Sequence, residues 1–172
     1  MFQDEGRFGR INAPRRCWAP KGTRPDVPVQ FVREYTYAYA AVSPHDGVMD
    51  SLILPEVNAK AMSIFLAEVA RRHPDEFILM VMDQAAWHRA VDLVVPDNMR
   101  LEWQPPYSPQ CNPVENLWDE IREKWFPNLV FKSLDDVEDT LVEALLALEN
   151  DSKRTQGIAG FDWLVSINMK AT

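Results

Sequence analysis

The chain has 172 residues, 47% of them hydrophobic and 26% charged, with a formal net charge of −8. This is ordinary globular composition, with enough chain for one domain around its own core. The two cysteines, Cys17 and Cys111, stand in no metal-like spacing and the longest apolar run, Phe77 to Met82, is far short of a membrane span, so the expectation is a reduced, soluble, cytoplasmic protein without a membrane partner.

The acidic balance weighs against a free-standing DNA binder, because phosphate contacts require Lys and Arg. The positive charge is nevertheless concentrated. Arg7, Arg10, Arg15, Arg16, Lys21 and Arg24 fall within the first 24 residues, opposed there only by Asp4 and Glu5.

In chain order, Met1 to Ile11 reads as a strand that has lost whatever preceded it. Arg15 to Val32 reads as a β-hairpin with its turn at Trp18 to Pro25. Glu34 to Val42 alternates Tyr35, Tyr37 and Tyr39 with Thr36, Ala38 and Ala40, the period of a strand with its tyrosines on one face. Gly47 permits a turn, and Val48 to Leu54 returns as a further strand. Asn58 suits the N-cap of a helix to about Arg72, with Met62, Phe65, Leu66 and Val69 on its core face. Phe77 to Met82 is a continuous apolar run, the pattern of a strand buried on both faces of a parallel sheet, and it ends at Asp83. A short helix over Trp87 to Leu93 and a strand over Arg100 to Gln104 follow. Then comes a Pro-rich loop, Pro105-Pro106-Tyr107-Ser108-Pro109.

After the loop, Asn112 suits an N-cap, Pro113 the first helical position and Glu115 the third. Val114, Leu117, Trp118, Ile121 and Trp125 form the apolar stripe of that helix. Ser133 to Asp136 carries a capping-box pattern, opening a last helix with Val137, Leu141, Ala144, Leu145 and Leu148 inward. Its acidic start (Asp135, Asp136, Glu138, Asp139) reads as a solvated first turn. Phe161 to Ile167 reads as a closing apolar segment. The order implies one α/β domain over residues 1–172: an antiparallel meander, then parallel strands, in a mixed sheet with helices on both faces.

Three carboxylates stand at element ends or on a central strand: Asp4, Asp83 and Glu115. Each has a structural alternative, Asp83 as a turn residue and Glu115 as a cap. Together they could hold one or two Mg²⁺ or Mn²⁺ ions, which favour oxygen ligands and need few of them from protein.

Asp4-Glu5, the Trp18-to-Pro25 segment, Asp83 to His88, and the block Pro105 to Trp118 resemble the catalytic domain of a DDE transposase, most of all the bacterial insertion-sequence group related to the mariner elements. The resemblance runs from about residue 2 to about residue 130. It implies an RNase H-like fold, an Asp4–Asp83–Glu115 triad, two Mg²⁺ ions (or Mn²⁺), and a polynucleotidyl transferase that cleaves DNA at element ends and transfers a 3′-hydroxyl to target DNA. By the same resemblance Asp4 bridges both ions, His88 orients a carboxylate or contacts DNA, and Asn112 assists. It also implies DNA contacts at Lys21, Arg24 and Tyr107, and a homodimer that pairs element ends. The chain departs from the family at Gln84 (usually Asn) and at Cys111 (usually Leu). By the same resemblance, the expectation is that the N-terminal helix-turn-helix region that recognises DNA ends is absent. Two rival readings share the same residues: an inactive remnant acting as a binding module, and a metal-dependent nuclease on another substrate. Trp118 and Trp125 are expected in the core.

Overall fold

The alternating face pattern of the first strand sets the architecture. The computed structural model describes residues 1–12 and 14–166. Strand β1 (Phe2–Ile11) lies at the centre of a five-stranded sheet with β2 (Phe31–Val42), β3 (Met49–Leu54), β4 (Ile78–Met82) and β5 (Met99–Trp103), in the order β3-β2-β1-β4-β5. The β1–β2 and β2–β3 pairs are antiparallel, and β1–β4 and β4–β5 are parallel. The expected mixed sheet, an antiparallel meander followed by parallel strands, is therefore present.

Helices cover both faces, and β2 shows why. Ala38, Ala40 and Val42 point to one side, while Tyr39 and Ala41 point to the other, all of them buried. On the first side they meet α2 (Val114–Lys124) and α3 (Leu134–Glu149) through Val114, Leu117, Trp118, Ile121, Leu141 and Leu145. On the second side α1 (Ala59–Arg72) contributes Met62, Phe65, Leu66 and Val69 against Ile78, Met80 and Met82. Each fully buried aliphatic or aromatic side chain contributes roughly 1.5–3 kcal/mol, so the two layers clamp β1 from both sides.

Capping decides where the helices start. Asn58 accepts from the Ala61 backbone N–H at 2.8 Å, and Ser133 and Asp136 form the expected reciprocal capping box. The α2 start differs by one residue from expectation: Pro113 occupies the cap, after a 3₁₀ turn over Pro109–Cys111. Asn112 still contributes, its side-chain oxygen accepting from the Val114 N–H at 3.2 Å.

Three expectations are corrected. Residues 14–30 form no strands; they make an extended arm tied at its base by Asn12 N–H to Gln30 O, and the real hairpin joins β1 directly to β2. Pro14, Pro20, Pro25 and Pro28 explain this, since proline cannot donate to a ladder. The Trp87-to-Leu93 segment makes turns in place of a helix. Phe77 lies outside β4 and is exposed, and within β4 burial alternates between full and partial. Beyond Asn150 the chain adds α4 (Ser152–Ala159), capped by Asp151, and α5 (Asp162–Val165). The closing segment over Phe161 to Ile167 is thus partly helical, and Ile167 lies outside the described residues. Among the described residues no helix is long and apolar enough to cross a membrane.

Candidate active site

The parallel pairing of β1 with β4 consists of one register pair, Phe2 with Val81. Two residues further along each strand stand Asp4 and Asp83. The carboxylates thus share a register on neighbouring parallel strands, at the point where the ladder between them has ended. A crevice opens there, as open α/β sheets provide beyond strands that part. It is a cavity of about 430 Å³, walled by Asp4, Asp83 and Glu115 together with Gln84, Gln104, Asn112 and the Pro105-to-Pro109 loop.

The third wall comes from α2. Asn112 donates from Nδ2 to the backbone oxygen of Gln3 at 3.0 Å, a buried bond that pins the start of α2 beside Asp4. One turn on, Glu115 faces the cavity, and its side chain makes no hydrogen bond or ion pair among the described residues. Tyr107, at the rim, holds a left-handed φ of 55° and is fully exposed. A non-glycine residue in that region costs on the order of 1 kcal/mol.

Each aspartate has one oxygen secured and one left over. Trp118 donates its indole N–H to Asp4 Oδ2 at 2.8 Å. Asp83 Oδ1 accepts from the Ala85 backbone N–H at 2.9 Å and pairs with His88 Nδ1 at 2.8 Å, and the same nitrogen also meets the Asp83 backbone oxygen at 3.2 Å. Among the described residues, Asp4 Oδ1 and Asp83 Oδ2 accept nothing. Burial, followed by the charge of Glu115, pushes the Asp4 carboxyl up to about 7, with Glu5 and Asp83 adding to the shift and the Trp118 bond offsetting part of it. Asp83 is held below the usual carboxylate range, chiefly by the bond from His88.

His88 is itself buried. Its Nε2 lies 2.8 Å from Glu5 Oε1, and the same oxygen accepts the Trp87 indole N–H at 3.2 Å. Both ring nitrogens face carboxylate oxygens, so both donate and the ring is an imidazolium. Burial opposes that charge, but the bonds to Asp83 and Glu5 outweigh it and lift His88 to about 9.

Most of the sequence-derived residues therefore converge: Asp4, Asp83, Glu115, Asn112 and Tyr107 line one cavity, and His88 binds one of its walls. Lys21 and Arg24 do not; they lie exposed on the arm, outside the cavity. Three residues escaped the sequence reading. Glu5 did because alternation turns it away from Asp4, towards a partner 83 positions on. Trp118 was read as core, and it is core (1% exposed), yet it also grips Asp4. Gln104 closes the cavity wall with a buried Nε2 that has no partner among the described residues.

As it stands, no set of three His, Cys, Asp or Glu side chains among the described residues is gathered closely enough to hold one ion. The donor chemistry still suits a hard cation: three carboxylates wall the cavity, and the burial and neighbouring charge that push Asp4 up are what a cation would offset. Magnesium keeps several waters and takes only one or two protein carboxylates.

A second, basic cavity of about 180 Å³ lies at the far end of β1 and α2, walled by Arg7, Phe8, Arg15, Arg122 and Phe126 among others. Arg122 sits over the Phe8 ring at 5.3 Å. Arg15 and Arg122 share Asp119 as nearest carboxylate, at 3.8 and 4.0 Å, too far for a hydrogen bond.

Comparison with known proteins bears on the family and the fold. A family model described as DDE superfamily endonuclease matches residues 1–138. An uncharacterized protein of Sinorhizobium fredii, y4pE/y4sA, is 41% identical over 104 residues, covering 60% of this chain and 77% of that protein. Among solved structures, the Mos1 strand transfer complex superposes with a TM-score of 0.66 at 17% identity, over 99% of this chain and 55% of that chain. The Mos1 mariner paired-end complex with Mn gives 0.64 at 16%, over 99% and 56%. This chain thus spans little more than half the length of those transposase chains. The likeness makes the fold RNase H-like, as its sheet order implies.

Proposed function

The chain belongs to the DDE superfamily endonucleases, and on that footing we propose that it is the catalytic domain of a transposase, a metal-dependent enzyme that cuts and joins DNA strands. The observation that carries the reading is the convergence of Asp4, Asp83 and Glu115 on one cavity, two of them in register where two parallel strands part. The Mos1 complexes solved with Mn and with Mg support the choice of cation.

In this reading Asp4, Asp83 and Glu115 would together hold the two cations. When bound, such a pair activates a water or hydroxyl nucleophile and stabilises the departing oxygen of a phosphodiester. The protein's own contribution is placement. Trp118 and His88 fix one oxygen of each aspartate, and Asn112 fixes the helix that carries Glu115. The exposed Tyr107 ring at the rim gives a base something to stack on. The phosphate backbone would be held by Lys21 and Arg24 on the arm and by Arg15 and Arg122. Pairing of two copies on two DNA ends belongs to the same proposal.

The test is nicking of supercoiled plasmid. We expect relaxation with Mn²⁺ or Mg²⁺, none with chelator, and none from Asp83→Asn in either metal. Cleavage that persists in chelator, or in Asp83→Asn, would refute the assignment.

A further inference from the structure

Glu5 follows Asp4 directly, yet it lines no part of the acidic cavity. Alternation along β1 sends Asp4 towards Trp118 on the α2 side and Glu5 to the opposite face. There its side chain is only 7% exposed and meets the buried His88. A carboxylate and an imidazolium withdrawn from water together are tolerable; either one left alone there is costly.

We propose that Glu5 is a positioning residue for Asp83, acting through His88. The imidazole is bound at both ends, by Glu5 at Nε2 and by Asp83 at Nδ1, each at 2.8 Å. Two anchors on opposite ring atoms fix both its plane and its flip state, so Nδ1 is always the atom presented to Asp83. Asp83 Oδ1 is then fully engaged, by His88 and by the Ala85 N–H, and only Oδ2 is left to take a cation. Trp87 restrains the far end by donating to the same Glu5 oxygen. The chain of contacts also crosses from β1 to the segment after β4, so it sets Asp83 relative to the strand that carries Asp4. Glu5 thus serves the cation site from the opposite face of the sheet without touching it.

The inference rests on the reading of Asp83 as a cation ligand, and the experiment separates the two. Mn²⁺ affinity of the full chain is measured by electron paramagnetic resonance for wild type, Glu5→Gln, His88→Gln and the double variant, with the exposed Glu143→Gln as charge control. Residues that orient metal ligands typically change affinity 10–100-fold. We therefore expect Glu5→Gln to bind Mn²⁺ roughly 10-fold more weakly, the control to match wild type, and the double variant to be no weaker than the worse single one. Should Glu5→Gln fail to fold, Trp87→Phe, which keeps the charge and loosens its anchor, should weaken Mn²⁺ in the same direction by a smaller factor. Affinity of the folded variant equal to wild type, or strictly additive losses in the double variant, would overturn the role of Glu5. A wild type that binds no Mn²⁺ would overturn the metal reading of Asp83 beneath it.

Discussion

Asp4 carries a proton through a pH range in which an ordinary aspartate has lost it. Its folded value is about 7, against about 3.9 in an unfolded chain. Between these limits the folded state binds more protons than the unfolded state, so stability falls as pH rises from about 4 to about 7 and levels off above. At 1.36 kcal/mol per unit the loss is bounded at about 4 kcal/mol. Asp4→Asn should remove this slope and be the more stable protein at pH 8 in the absence of metal, as read from urea midpoints at pH 5 and pH 8. A divalent cation should reverse the order by stabilising wild type alone. An unchanged slope in Asp4→Asn would assign the pH dependence to another group. The same residue marks how far sequence carries a site: its place on a first, central strand and the family resemblance identified it, but its environment depends on Trp118, 114 positions away, and on a helix start that only tertiary packing fixes.

Among the elements, β1 and α2 touch most closely at Gly6. A Cβ there would lie 2.8 Å from a Phe8 ring carbon and 2.9 Å from the Trp118 indole. The absent side chain is what lets the indole lie flat enough on the strand to reach Asp4. Gly6→Ala should therefore destabilise by about 1–3 kcal/mol through overpacking and should lower Mn²⁺-dependent nicking as Trp118 shifts off Asp4; differential scanning calorimetry and the plasmid assay report the two effects. Wild-type stability in Gly6→Ala would mean the contact relaxes freely. Elements with local signals were legible: Asn58 and Ser133 capped α1 and α3 where expected, and period-2 alternation located β2. The arm after β1 was misread because aromatic and basic residues around a Lys21-Gly22 turn look like a hairpin until its prolines are weighed. The segment after Asp83 was misread because its polar contacts are long-range: His88 is placed by Glu5 and Asp83, and no helical periodicity is needed.

For the molecule as a whole, a net charge of −8 sits uneasily with a polyanionic substrate unless its positive charge is local. Arg15 and Arg122 supply that locality, with guanidinium groups that no carboxylate among the described residues hydrogen-bonds. From Glu115 to Arg122 is seven residues of helix, roughly 10 Å at 1.5 Å per residue, or about three phosphate steps along one strand of a duplex. The Arg15→Ala, Arg122→Ala double variant should weaken duplex binding and reduce the log–log salt slope by roughly 2, while Asp119→Asn should tighten binding; fluorescence anisotropy from 50 to 200 mM salt decides. An unaltered slope would remove these arginines from the DNA path. Finally, the sheet is less a single plank than two stiff leaves meeting at a spine. One leaf is β3-β2-β1, the other is β4-β5, and among the described residues they are stitched only at the start of β1, where Phe2 pairs with Val81 and Met1 bonds to Leu79 and Val81. Asp4 and Asp83 sit on opposite leaves just past the stitch, so a slight swing about it would change the gap between the carboxylates while leaving both leaves' ladders whole. The spacing that strand chemistry demands is thus adjustable at the cost of almost no backbone hydrogen bonding, with Glu5 and His88 as the latch across the fold line.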